Sequence, residues 1–91
     1  MSLAVIHRPE AGCFEAELDG HRSECAYRRS AALLTLHHTE VPAALQGRGV
    51  AAALVAAALA WARAEGLKVR PSCSYVAAYM RRHPETQDLL E

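Results

Sequence analysis

An alanine-rich run from Val50 to Glu65, closed by glycine at both ends, narrows what this chain can fold into more than any other feature. At about 100° per residue, Val50, Leu54, Val55, Leu59 and Trp61 fall on roughly half of the circumference, which is the pattern of a helix with one buried side. Gly66 is placed to end it as a left-handed cap. Strandlike segments flank the run, Ala32 to Val41 before it and Leu67 to Arg70 after it. A strand, a helix and a second strand in succession form a right-handed parallel crossover.

The residues before this unit read as an antiparallel meander. Ala4 to His7 is a first strand, stopped by Pro9 and a turn at Gly12. Phe14, Ala16 and Leu18 alternate with Glu15, Glu17 and Asp19, the period of a half-buried strand. Asp19-Gly20 then supplies the positive-φ pair of a tight hairpin, returning through His21 to Arg28. A turn at Arg29-Ser30 leads into Ala32 to Val41, where Leu33, Leu34 and Leu36 occupy both faces and call for a central strand covered on both sides. Pro42 ends it. After Pro71, Ser72 is the expected cap of a last helix reaching about Arg82. The fold class expected is α+β, in the order β-β-β-β-α-β-α, as one domain over residues 1–91.

Composition removes several classes of function. Ten basic and ten acidic side chains leave no formal net charge, so no nucleic-acid partner is expected. No basic-then-apolar leader opens the sequence, and Val50 to Ala62 is too short to span a bilayer, so no membrane partner is expected either. Three widely spaced cysteines make no disulfide framework, and a reducing cytoplasm is the expected setting. Cys13, Cys25 and Cys73 with five scattered histidines lack zinc-ligand spacing, so no metal is expected.

The loop before the helix carries the chemistry. In Gln46-Gly47-Arg48-Gly49-Val50-Ala51, successive N–H groups have no intrahelical acceptor, and the helix dipole adds partial positive charge. A phosphate suits such a place. Glycine at 47 and 49 lets backbone approach a bulky diphosphate, and Arg48 adds a charge-assisted contact. A tight strand-to-helix turn would use the same glycines.

Gln46, Gly49 and Ala51 match the Q/R-x-x-G-x-G/A signature of the GNAT acetyltransferase superfamily. With His38-Thr39-x-Val41-Pro42, Pro71-Ser72-Cys73-Ser74-Tyr75-Val76 and Arg82-His83-Pro84, the chain resembles a small stand-alone GNAT-like N-acetyltransferase family from Phe14 to His83. The resemblance implies a truncated GNAT-like fold, with acetyl-coenzyme A or coenzyme A as cofactor. Val41 then faces the pantetheine arm, while Gln46, Gly47, Arg48, Gly49, Val50 and Ala51 cradle the phosphates. The activity implied is acetyl transfer to an amine acceptor, a small molecule such as a polyamine or a protein lysine. The rival is a non-catalytic coenzyme A or acyl-coenzyme A binding module.

Larger members wall the acceptor site with N-terminal helices. This chain passes from strand to hairpin instead, so an open acceptor side is expected, in a monomer or a homodimer that completes it. For catalysis, Cys73 at the start of the last helix reads as a reactive thiol, while the resemblance points to Tyr79 as acid for the departing thiolate and His38 as proton relay. Each has a plainer reading: a buried thiol, core packing and a structural histidine. Tyr75 competes with Tyr79, and Glu40 with His38. Arg82 near the cofactor phosphates is the remaining candidate, with a solvated arginine as its plainer reading.

Overall fold

A computed structural model describes residues 3–91; the first two residues of the 1–91 span lie outside the described residues. Five strands form one sheet in sequence order: β1 (Val5–Arg8), β2 (Cys13–Leu18), β3 (His21–Ser30), β4 (Leu33–Glu40) and β5 (Lys68–Pro71). Neighbours run antiparallel from β1 to β4, and β4 and β5 run parallel. Helix α1 (Val50–Glu65) makes the crossover and α2 (Ser74–Arg82) follows β5.

The turns follow from residue chemistry. Asp19 and Gly20 sit at φ 53° and 78°, the conformation the β2–β3 hairpin requires. Gly66 ends α1 at φ 70°; its N–H donates to the Arg63 carbonyl and that of Leu67 to the Ala62 carbonyl, at 3.3 and 2.8 Å. Two details differ from the sequence reading. The β3–β4 turn falls at Ala31-Ala32, with Ala31 at φ 53°, because Arg29 and Ser30 remain paired to Leu34 and Leu33. Cys73, not Ser72, occupies the N-cap position of α2; the Ser72 hydroxyl donates instead to the Leu36 carbonyl at 3.4 Å.

One core holds the described residues together. Phe14, Cys25, Tyr27, Leu34, Leu36 and Val69 from the sheet meet Leu54, Val55, Leu59 and Ala62 of α1 and Val76 and Met80 of α2. Burying each large apolar side chain contributes about 1.5–3 kcal/mol. The alternate positions of the first three strands carry charge: Arg8, Glu15, Glu17, Arg22 and Arg28. β4 is therefore covered on one face only. Leu34 and Leu36 are fully buried, while Leu33 and Thr35 are half-buried, so the expected two-sided burial is not found.

Ser23, beside this core, is 1% exposed, and its hydroxyl has no hydrogen-bond partner among the described residues. A buried hydroxyl without a partner gives up its water hydrogen bonds for nothing. Ser23→Ala is therefore expected to raise the unfolding free energy by about 1 kcal/mol in urea titration. An unchanged midpoint would mean that the hydroxyl is satisfied by a buried water.

Candidate functional site

The site is built where β4 keeps one neighbour and loses the other. Pairing with β5 runs from Leu33–Lys68 to Leu36–Pro71 and stops. Pairing with β3 continues, but Tyr27 lies opposite Leu36 and Ala26 opposite His38, so His37 is an extra residue in a β-bulge. The bulge resets the alternation: Thr39 pairs with buried Cys25, while His38 and Glu40 pair with Ala26 and Glu24 on the charged face. The Cys73 N–H donates to the Leu36 carbonyl at 3.1 Å, so α2 begins where the two strands part.

A groove of about 440 Å³ occupies that end of the sheet. Thr39 of β4 and Val41 just past it border the groove, with Leu45 to Gly47 from the loop, Gly49 to Ala52 from the start of α1, and Tyr75 from α2. Gly47 and Gly49 both stand at φ 80° with open space where a Cβ would be, so backbone conformation is what requires glycine there. Gly49 caps α1 without a side-chain hydrogen bond, and the first intrahelical bond is from the Ala53 N–H to the Gly49 carbonyl at 3.1 Å. The N–H groups of Val50, Ala51 and Ala52 precede it and have no intrahelical acceptor. Gln46 Nε2 donates to the Val41 carbonyl at 3.4 Å, tying the loop to the strand end. Among the described residues no carboxylate lines this groove. Free N–H groups at a dipole's positive end, without a repelling anion, fit a diphosphate such as coenzyme A carries.

Sequence-named residues divide between this groove and other places. Val41, Gln46, Gly47, Gly49, Val50 and Ala51 line it together. Arg48 does not; Arg48 Nη1 donates to Asp19 Oδ2 at 2.6 Å on the β2–β3 turn. Cys73 is half-buried, with Sγ 3.5 Å from the Thr39 hydroxyl. Burial raises its pKa, but interactions with the backbone of Val76, the Thr39 hydroxyl and the backbone of Tyr75 outweigh burial and leave the thiol below its ordinary value. By contrast, burial pushes Cys25 up to about 12 and also raises Cys13.

Tyr79 is not brought to the groove. Its ring stacks on His83 with centroids 3.9 Å apart, beside Leu59, Arg63 and Leu89 between α1 and the turn Pro84–Leu89. One helical turn nearer the strands, Tyr75 takes the groove position, a choice that depends on where α2 starts. Arg82 is exposed at the far end of α2.

His38 lies on the charged face, with Nε2 3.3 Å from Glu40 Oε1. Donor atoms of Glu24, His38 and Glu40 come within 4.8 Å of one another, and Arg22 Nη1 donates to Glu24 Oε1 at 2.8 Å. Residue spacing could not show this convergence, because the cross-strand register and the bulge create it. Thr39 stands in the motif His38-Thr39-x-Val41-Pro42, but the sequence alone assigns it no role.

Comparison with known proteins gives the site a context. The family model described as GCN5-related N-acetyl-transferase matches residues 13–89. The chain is 43% identical to Protein NATD1 of Xenopus tropicalis, over 97% of this chain and 84% of that one. Protein NATD1 of Gallus gallus and of Mus musculus are each 42% identical over 57 residues, 63% of this chain. These two matches span about half of the relatives' length, 52% in each case. The solution structure of a GCN5-like protein from Staphylococcus aureus shares the fold with a TM-score of 0.72, at 23% identity, over 98% of this chain and 88% of that one.

The lowered thiol predicts selective chemistry. With limiting iodoacetamide near neutral pH, Cys73 should be alkylated ahead of Cys13 and Cys25, as read by peptide mass spectrometry. Thr39→Val removes a stabilising hydroxyl and should slow that reaction about three- to tenfold. First modification at Cys13 or Cys25 would contradict the assignment.

Proposed function

The chain belongs to the GCN5-related N-acetyltransferase family, and from that premise we propose that it binds acetyl-coenzyme A in the groove at the start of α1 and passes the acetyl group to an amine. The observation that carries this reading is the row of free N–H groups from Val50 to Ala52 behind two positive-φ glycines, in a groove without carboxylates. In the proposal, Gly47, Gly49, Val50 and Ala51 hold the diphosphate, while Gln46 fixes the loop. Val41 and Thr39 border the pantetheine arm where β4 and β5 part. Bound acetyl-coenzyme A supplies the activated acyl group as a thioester.

The chain's own residues then have two tasks: to place the amine and to move its protons. The acceptor approaches from the charged face in this reading. An ammonium group must lose a proton before its nitrogen can attack, and His38, with Glu40 beside it, is the group assigned to take it. The Cys73 thiol, stabilised toward its anion, stands on the groove side of the parted strands next to Thr39. Direct transfer to the amine needs no covalent step there. A Cys73→Ala variant that loses activity by orders of magnitude, while still binding coenzyme A, would favour a covalent route instead. Tyr75, not Tyr79, is the tyrosine that borders the groove.

A second reading, a module that binds coenzyme A without turnover, is favoured by one observation. Tyr79, the expected acid, is held against His83 away from the groove.

The test separates binding from folding. Any side chain at Gly49 is strained by φ 80°, so Ala51→Glu is the better variant. Ala51 lies in the first turn of α1, where a carboxylate is compatible with the helix and opposes phosphate in the groove. Calorimetry is expected to find micromolar or tighter acetyl-coenzyme A binding to wild type. Ala51→Glu should weaken it about tenfold or more with an unchanged melting temperature. Binding followed by thiol release on adding amines supports the enzyme, and binding without release across a panel of amines supports the module. No binding to wild type would reject both.

A further inference from the structure

The β2–β3 turn reaches the loop before α1 through the Arg48–Asp19 contact. Arg48 is the only charged residue between Val41 and Ala62. It stands between Gly47 and Gly49, and its N–H donates to the Leu45 carbonyl at 3.3 Å. Its side chain turns away from the groove its neighbours line and meets the Asp19 carboxylate at 2.6 Å. Asp19 is held at φ 53° by the hairpin, which presents its carboxylate to the loop.

From this geometry we infer that Asp19 is an intramolecular counter-ion that holds Arg48 out of the groove, and that a diphosphate ligand must take Arg48 from it. The inference rests on coenzyme A binding at this loop. Both members of the pair are substantially exposed, at 39% for Arg48 and 61% for Asp19. Such pairs are individually weak, so separating them is easy. An arginine facing a diphosphate makes charge-assisted, often bidentate contacts, and here the dipole of α1 favours the same anion. The ligand therefore wins the exchange, but its affinity is lowered by whatever the Asp19 contact is worth. Asp19 is thus a positioning residue that sets affinity for phosphate-bearing ligands through Arg48.

The hairpin permits a clean test, because Asn-Gly serves this turn as well as Asp-Gly. Asp19→Asn removes the charge and keeps the shape. Calorimetric titration of coenzyme A at low ionic strength, into wild type, Asp19→Asn, Arg48→Ala and the double variant, forms a thermodynamic cycle. The expected result is binding about two- to fivefold tighter in Asp19→Asn, weaker in Arg48→Ala, and no gain from Asp19→Asn once Arg48 is gone. In the free protein, the Arg48 Nε resonance should shift on Asp19→Asn, and in wild type it should shift when coenzyme A is added. Equal or weaker binding by Asp19→Asn would overturn the inference, as would an equal gain in the Arg48→Ala background, which would mark a general field effect. No binding by any variant would overturn the coenzyme A reading itself, and this inference with it.

Discussion

β4 is hydrogen-bonded along both edges as far as Leu36 and along one edge beyond it. Backbone polar groups must find partners or water, so a strand losing a neighbour at mid-length opens a wettable slot in an otherwise continuous sheet. The bulge at His37 reinforces the change by resetting which side chains face the core. Past it, Thr39 faces Cys25 and Cys73, while His38 and Glu40 join the charged face. The crossover through α1 then returns a helix N-terminus to the same end of the sheet. Groove, thiol and histidine all follow from this parting of two strands.

Charge is divided across the sheet in a way that suits the proposed chemistry. Among the described residues, the groove side has N–H groups without an intrahelical acceptor and no lining carboxylate. On the opposite face, Arg8, Glu15, Arg22 and Glu24 form a cross-strand ladder with contacts of 2.6 to 2.8 Å. Glu24 and Glu40 stand directly opposite each other on β3 and β4, a like-charge pair that is unfavourable in isolation. Arg22 offsets Glu24, and His38 lies beside Glu40. The two faces of β4 therefore differ in kind, one with unpaired helix N–H groups and the other with a ladder of both charges.

Much of this was legible in the amino-acid order because it is local. Period-2 alternation in β2, Asp19-Gly20, the apolar side of α1, its closing Gly66 and the Gln46-to-Ala51 loop each depend on residues close in sequence. What local pattern did not show depends on distant partners. Ser72 is turned to Leu36 by the parallel pairing, Arg29 and Ser30 are kept in β3 by Leu34 and Leu33, and Arg48 is drawn aside by Asp19. Tyr79 is held by His83, on a helix whose start the strand parting decides.

By itself the sequence determined the elements, their order, the phosphate-compatible loop and the family, because turn chemistry, hydrophobic period and motif are properties of short segments. Only the tertiary structure decided which side of β4 each side chain meets, that the thiol of Cys73 is stabilised toward its anion, and that Tyr75 rather than Tyr79 borders the groove. Those outcomes turn on one extra residue in a strand and on contacts between residues 29 to 36 positions apart, which no local pattern encodes.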